Sequence, residues 1–416
     1  MSSIEQAIQL IEEDKLQEAV DLLRQSLEQA DDNETLMIAD LFIDLGLLED
    51  ARPILETLLE KYPDEAEIRV VLAEIYIDLE EDEQALNQLQ AIDSTSDQYL
   101  ASLLISADLY QTQGLFEVAE QKLIEAKQLA PNEILIDFAQ AELAFSLGKY
   151  DDALFKYKKV YQQNKQMAEV DVSLRIAESL AAVGKFEEAL EYYKEAELND
   201  PDLLFRYGFI AYQAKRMDIA IHTWEELIKQ DSEYASVYNY LADAYEEEGL
   251  IDAGFKTAQT GLEIDPFNKE LLITSASLAR KIGENELSYR YAREAVSIDP
   301  GYRTGILFLI ENYREDDDFE AIIDLLTHII EQGEEDGYYK WELAKAYEEE
   351  ENYELALKNY RDAYPNFKDD TDFLKAYGYF LVEEGIREEA IEVFTRYLTI
   401  EPSDVELEHY LERLKG

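Results

Sequence analysis

A small residue recurs along this chain at nearly constant spacing, each time inside a short apolar phrase such as LQEAVDLL or REEAIEVF. Successive spacings are 32, 34, 34, 34, 36, 31, 34, 34, 33, 35 and 34 residues. Because a fixed period means that one structural unit is repeated, the sequence predicts an array of twelve copies. This position, the anchor, is occupied by Ala19, Ala51, Ala85, Ala119, Ala153, Ala189, Ala220, Gly254, Ser288, Ala321, Ala356 and Ala390.

Other positions keep the same register. A second small residue lies twelve positions before each anchor, from Ala7 to Gly378, and only Leu309 is large. Glycine often stands five positions before the anchor, where a turn can use a residue that tolerates positive φ, and proline often stands twelve after it. This punctuation predicts a helix, a glycine turn, a second helix and a proline-marked turn, repeated along the chain. We expect no β-strand anywhere.

One such helix hairpin cannot cover its own apolar face, so neighbouring hairpins must stack. The small, aromatic, bulky and proline sites at these offsets resemble those of the tetratricopeptide repeat family, over essentially the whole chain. The resemblance implies an all-α fold, a right-handed superhelical α-solenoid of stacked antiparallel helix hairpins. We expect the repeat array over residues 1–404 and a capping helix over 405–416. The unequal spacings of 36 and 31 residues predict a kink near residues 163–201.

The charge balance excludes several classes of partner. The chain has 94 acidic and 37 basic residues, a formal net charge of -57, and no cysteine. Such a field repels phosphate backbones and anionic headgroups, so we expect no nucleic-acid partner and no membrane insertion. The N-terminus has no basic flank before an apolar run, and no segment approaches the roughly 18 apolar residues of a membrane helix. We therefore expect a cytoplasmic protein.

The sequence offers no motif for catalysis. Phosphate-binding, nucleophile-elbow and metalloprotease motifs are absent, and the three histidines are far apart in the sequence. Clustered acids such as Glu246 to Glu248 could act in acid–base catalysis, but in so acidic a chain a solvated surface is the better interpretation. We predict no catalytic residue, no metal site and no cofactor, and therefore no enzyme activity.

The resemblance implies that the first helix of each hairpin lines a concave groove that binds protein or peptide segments. A repeated carboxylate on this wall would favour a basic partner, although chance in an acidic chain is the alternative explanation. The groove position, eleven residues before each anchor, is occupied by Ile8, Asp40, Glu74, Asp108, Glu142, Glu178, Phe209, Asp243, Ser277, Ile310, Lys345 and Tyr379.

The second half of the chain carries cations and aromatic residues at other groove positions. Arginine and aromatic side chains often anchor protein interfaces, so these residues suggest a second subsite for an acidic or apolar segment. The alternative is that most of the tyrosines pack between hairpins; for the tryptophan, which we take to be exposed, packing and partner binding both stay open. The candidate residues are Arg280, Arg303, Arg314, Tyr338, Trp341, Lys345 and Tyr379.

These features favour a non-catalytic cytoplasmic scaffold or adaptor whose groove holds segments of other proteins. Two alternatives stay open. The chain could be an assembly or quality-control factor for an envelope complex, or it could be the regulatory subunit of a partner enzyme.

Overall fold

Helices contain about three quarters of the residues in the computed structural model, which describes residues 2–194, 196 and 200–416. The predicted all-α, tetratricopeptide-like fold is confirmed: consecutive helices pack in pairs joined by short turns. The chain divides into two units, residues 1–197 and residues 198–416, which are described separately below.

In its described part, unit 1 contains six hairpins, each numbered by its place in the chain. Their helices are α1 (Ser3–Glu12), α2 (Leu16–Ser26), α3 (Asp32–Asp44), α4 (Leu48–Lys61), α5 (Ala66–Asp78), α6 (Asp82–Gln90), α7 (Tyr99–Thr112), α8 (Phe116–Leu129), α9 (Ile134–Ser146), α10 (Tyr150–Tyr161), α11 (Val172–Ala182) and α12 (Phe186–Tyr193).

Hairpin 2 shows why these residues form a pair of helices. Ala39 in α3 and the anchor Ala51 in α4 are both fully buried, so the two backbones approach closely. Phe42 and Leu55 fill the space beside them and are also fully buried. Each side chain of this size contributes roughly 1.5–3 kcal/mol when removed from water. Hairpins 1 to 3 share one continuous core.

The turn inside each hairpin uses one residue in the left-handed conformation. In hairpin 2 this residue is Gly46, and the following N–H, of Leu47, donates to the carbonyl of Phe42 (2.7 Å) and so closes the helix end. All twelve turn residues have φ between 56° and 85°, and each lies five positions before a buried residue, which is the anchor in every hairpin except the tenth, where it is Ile322. Seven of these residues are glycines, and the others are Asp14, Glu80, Lys215, Asp317 and Glu351.

The expectation of no strand is wrong at one place in unit 1. There β1 (Gln166–Met167) pairs antiparallel with β2 (Val170–Asp171). The turn residues Ala168 and Glu169 both have positive φ, 46° and 63°, as the two-residue turn of a β-hairpin requires. Because the turn contains neither glycine nor asparagine, the sequence lacks the usual hairpin signal. The insertion between α10 and α11 accounts for the 36-residue spacing.

In its described part, unit 2 contains six further hairpins and a final helix. Their helices are α13 (Pro201–Gln213), α14 (Met217–Gln230), α15 (Ser236–Glu247), α16 (Ile251–Ile264), α17 (Lys269–Lys281), α18 (Asn285–Ile298), α19 (Arg303–Glu315), α20 (Phe319–Glu331), α21 (Gly337–Glu349), α22 (Tyr353–Phe367), α23 (Thr371–Glu383), α24 (Arg387–Ile400) and α25 (Val405–Lys415).

The register predicted for hairpin 10 is wrong by one residue. Ala321 is partly exposed, whereas Ile322 is buried at 2% exposure and Leu326 follows it fully buried one helical turn later. With Ile322 as the anchor, the neighbouring spacings change from 33 and 35 residues to 34 and 34, and Tyr313 occupies the aromatic site nine positions before it. The groove position therefore falls on exposed Glu311, because Ile310 points into the core.

At the C-terminal end, α25 buries Leu407 and Leu411 against the last hairpin. The division of the chain into a repeat array and a cap at residue 404 stays a prediction. So does the kink near residues 163–201, an interval that contains residues 195 and 197–199, which lie outside the described residues.

Candidate partner-binding face

Five carboxylates occupy the groove position of consecutive hairpins in unit 1. We call them the acid row: Asp40 in α3, Glu74 in α5, Asp108 in α7, Glu142 in α9 and Glu178 in α11. The sequence predicts one role for all five, but the structure divides them into two groups.

The first three members of the acid row are exposed. Within residues 2–194, no side chain forms a hydrogen bond or an ion pair with the carboxylates of Asp40, Glu74 or Asp108. Partial burial raises the pKa of Asp40, and the nearby charges of Asp44 and Glu67 raise it further. The pKa of Glu74 is raised by partial burial and by Asp78. These carboxylates therefore experience repulsion that a bound cation would relieve.

The last two members are already paired. The guanidinium of Arg175 lies 3.0 Å from Glu142 through Nε and 3.0 Å from Glu178 through Nη1. The Tyr157 hydroxyl also donates a hydrogen bond to Glu142 (2.6 Å). Most of their negative charge is neutralised within unit 1. These two carboxylates should therefore attract a basic partner less strongly than the sequence suggests.

Apolar side chains lie beside the unpaired acids. We call them the apolar row, and each precedes its acid by three or four residues, on the same face of the helix. Leu36 and Met37 are 37% and 50% exposed, and the other members are partly buried. The first helices of hairpins 2 to 4 thus present carboxylates next to apolar surface. The apolar row consists of Leu36, Met37, Val71, Leu104 and Ile105.

In unit 2, Asp243 of α15 lies partly buried at the groove position. Burial raises the pKa of this carboxyl to about 6, and repulsion from Glu246 and Glu247 adds to the effect. Asp243 shares these causes with Asp40 and Glu74, but it is less exposed than either of them.

The cations predicted to form a second subsite are paired with carboxylates of their own unit. Arg280 forms two hydrogen bonds to Asp316, of 2.8 and 2.6 Å, and these hold the pKa of that carboxyl at about 2. Arg303 pairs with Asp336 and lies over the ring of Tyr338. This arrangement reduces the positive charge available to an acidic partner.

Glu342 is not among the site residues predicted from the sequence. It is only 2% exposed, and its carboxylate pairs with both Arg314 and Lys345, at 2.6 Å from the latter. Burial and the proximity of Glu342 raise the pKa of Tyr338 to about 12. Its position in the repeat could have indicated that Glu342 is unusual. It lies fourteen positions before its anchor, where hairpins 2 to 4 carry apolar residues.

The expectation that Trp341 is exposed is wrong. Its indole is partly buried, with ring centroids 5.2 Å from Phe367 and 5.3 Å from Phe373, because the following helices pack against it. Tyr379 is 38% exposed and contacts the rings of Phe394 and Tyr410. The predicted aromatic anchors of unit 2 therefore serve mainly to pack its helices together.

The described residues contain neither a candidate metal cluster nor a candidate membrane-spanning helix. No three histidine, aspartate or glutamate side chains in this part of the chain are grouped so that they could hold a metal ion. None of the helices described above combines the length and apolarity needed to cross a membrane.

Comparison with known proteins identifies the family. Models of YpiA-like tetratricopeptide repeats match residues 111–165 and 338–404, and general tetratricopeptide repeat models match residues 10–69, 42–106, 144–208 and 211–269. The TPR repeat-containing protein YpiA of Bacillus subtilis (strain 168) is 39% identical over 414 residues, which cover 99% of this chain and 98% of that protein.

Solved structures are more distant. The crystal structure of YrrB, described as a TPR protein with an unusual peptide-binding site, is 14% identical and matches 44% of this chain and 95% of that one, with a TM-score of 0.39. The Cut9–Hcn1 hetero-tetramer structure is 13% identical and matches 99% and 95%, with a TM-score of 0.34. From the full-length identity to YpiA and the repeat matches along its length, this chain belongs to the YpiA-like tetratricopeptide repeat proteins.

Proposed function

We propose that this chain is a non-catalytic cytoplasmic adaptor that binds basic, amphipathic segments of other proteins. Tetratricopeptide repeat proteins generally mediate protein–protein interactions. One observation carries the choice of partner: Asp40, Glu74 and Asp108 are exposed, unpaired among the described residues of unit 1, and adjacent to the apolar row.

Charge and shape favour the same kind of partner. Three like charges at the same position of successive hairpins attract a chain of lysine or arginine residues and speed its association. The apolar row gives such a segment surface to bury, which supplies the part of the affinity that salt does not screen. Because the acids lie on helices, little entropy is lost in ordering them when the partner binds.

The test uses a labelled synthetic peptide with lysines on one helical face and leucines on the other. We expect the triple variant Asp40→Asn, Glu74→Gln and Asp108→Asn to bind it at least about tenfold more weakly than the wild type. Fluorescence anisotropy measures the affinity, and circular dichroism checks that the helical content is unchanged.

A matched variant controls for net charge. Glu83→Gln, Glu117→Gln and Asp151→Asn also remove three negative charges, from exposed sites at the starts of α6, α8 and α10. We expect this variant to bind nearly as well as the wild type. Equal weakening by both triple variants would show that the peptide responds only to overall charge, and the proposal would then be wrong.

A further inference from the structure

A cleft opens between the first helices of hairpins 2 and 3, within unit 1. Its volume is about 270 Å³, and its apolar lining includes Leu36 of α3, Leu58 of α4 and Val71 of α5. A cavity of about 150 Å³ is enough to hold a benzene ring, so this cleft has room for one long side chain. It is a local feature that shares only Asp40 with the acid row.

Carboxylates also line this cleft. Asp32 is already paired with Lys61 and accepts a hydrogen bond from the Tyr62 hydroxyl. Asp40, Glu65 and Glu67 also line the cleft, and within residues 2–194 no cation or hydrogen-bond donor of this chain contacts any of these three carboxylates. The cleft thus combines an apolar lining with three unneutralised carboxylates.

This combination matches one kind of side chain. Arginine carries a long aliphatic stem that packs on apolar surface and a planar guanidinium that donates to two acceptors at once. The ring of Tyr62, which is 43% exposed, also lines the cleft, and guanidinium groups stack on aromatic rings. A leucine would leave these carboxylates without a partner, and a lysine would supply a point charge without the planar fork.

We propose that this cleft is the anchor pocket for a single arginine side chain of the bound segment, with its stem on Leu36 and Val71 and its guanidinium between Asp40 and Glu67. The inference rests on the proposed function, since it assigns one residue of the partner to one place on the face of unit 1. It makes arginine the specific element of recognition, and the remaining members of the acid row contribute general attraction.

The experiment compares three labelled peptides that differ only at one central residue, flanked by leucines: arginine, lysine or citrulline, which is nearly isosteric with arginine but uncharged. With the full-length wild type we expect the arginine peptide to bind about tenfold more tightly than the citrulline peptide, with lysine in between. In the variant Asp40→Asn with Glu67→Gln, that preference should fall to within about twofold.

Two further variants separate the pocket from the acid row. Glu74→Gln with Asp108→Asn removes the same charge outside the cleft, so binding of the charged peptides should weaken while the preference for arginine over lysine persists. Val71→Phe fills the cleft without changing any charge, and it should abolish the preference for arginine over lysine. Circular dichroism checks that each variant is folded. If Val71→Phe does not fold, the two polar variants still test the proposal.

The possible outcomes distinguish the two proposals. An undiminished arginine preference in the Asp40 and Glu67 variant would overturn the anchor pocket, while weakening by the Glu74 and Asp108 variant would still support the adaptor function. Equal binding of arginine and citrulline peptides to the wild type would also overturn the pocket. If no basic peptide responds to either pair of substitutions, both proposals are wrong.

Discussion

Arg175 decides which carboxylates of the acid row remain available to a partner. It lies fourteen positions before its anchor, where hairpins 2 to 4 place apolar residues, and from there it reaches both Glu142 and Glu178. Residues at the same register position thus differ in chemistry because their neighbours differ. A binding face in this fold has to be determined from pairs of contacting residues, not from a single column of the repeat.

Asp243 is expected to destabilise the folded chain at neutral pH. Its pKa is about 6 in the folded protein against 3.8 ordinarily, so between these values the folded state binds more protons than the unfolded state. The destabilisation of the fold by this carboxylate is therefore largest above pH 6 and decreases as the pH falls through 6. The cost at pH 7.5 is at most about 3 kcal/mol, and it is smaller here because the carboxylate is partly exposed to water.

We therefore expect Asp243→Asn to raise the midpoint of urea unfolding at pH 7.5, and the difference from the wild type to shrink at pH 5. Asp252→Asn, at an exposed site in the first turn of α16, serves as the control and should change the midpoint little at either pH. A difference that stays constant between the two pH values would show that Asp243 does not titrate in this range.

Among the helices and turns, the repeat predicts the fold well because one turn conformation recurs in every described hairpin and two small sites recur in all of them except hairpin 10. The β-hairpin at β1 and β2 escapes prediction since four paired residues carry no alternation and the turn lacks glycine. The register of hairpin 10 could have been found, because Ile322 restores both the spacing and the aromatic site. The candidate site is only half predictable. The positions of its residues follow from the register. The ion pairs that Arg175 forms in unit 1 and those that Glu342 forms in unit 2 do not.

The turn inside each hairpin makes a prediction about stability. Glu80 adopts φ of 61°, which costs a residue with a Cβ atom roughly 1–2 kcal/mol. We expect Glu80→Gly to stabilise unit 1 by about 0.5–1 kcal/mol, after allowing for the greater flexibility of glycine in the unfolded chain. Asp14→Gly should gain less, because aspartate tolerates this conformation better. Thermal unfolding of each variant measures the change.

Two further substitutions are controls for this prediction. One lies at the turn between α7 and α8, and the other is at Gly46. Gln113→Gly, at φ of -78° in the residue before a turn glycine, should destabilise by about 0.5–1 kcal/mol. Gly46→Ala should destabilise by about 1 kcal/mol through the backbone alone, since a Cβ atom there would meet nothing within 4 Å. Stabilisation by Gln113→Gly would mean that the effect of glycine does not depend on positive φ.

At the scale of the whole molecule, net charge opposes folding while it favours a basic partner. A formal charge of -57 on 416 residues makes the folded state repel itself, although ion pairs such as that of Arg280 with Asp316 offset part of the repulsion. The same field acts on a lysine-rich or arginine-rich segment with the opposite sign. Salt should therefore affect stability and binding in opposite directions.

We expect the thermal midpoint at pH 7.5 to rise by about 4 °C or more when sodium chloride is increased from about 0.01 M to about 1 M, which shortens the screening length from roughly 30 Å to roughly 3 Å. Over the same range, the basic amphipathic peptide should bind more weakly. Near pH 4.2, where the chain carries almost no net charge, salt should leave the midpoint nearly unchanged. A midpoint that falls with salt at pH 7.5 would show that native ion pairs outweigh the overall repulsion.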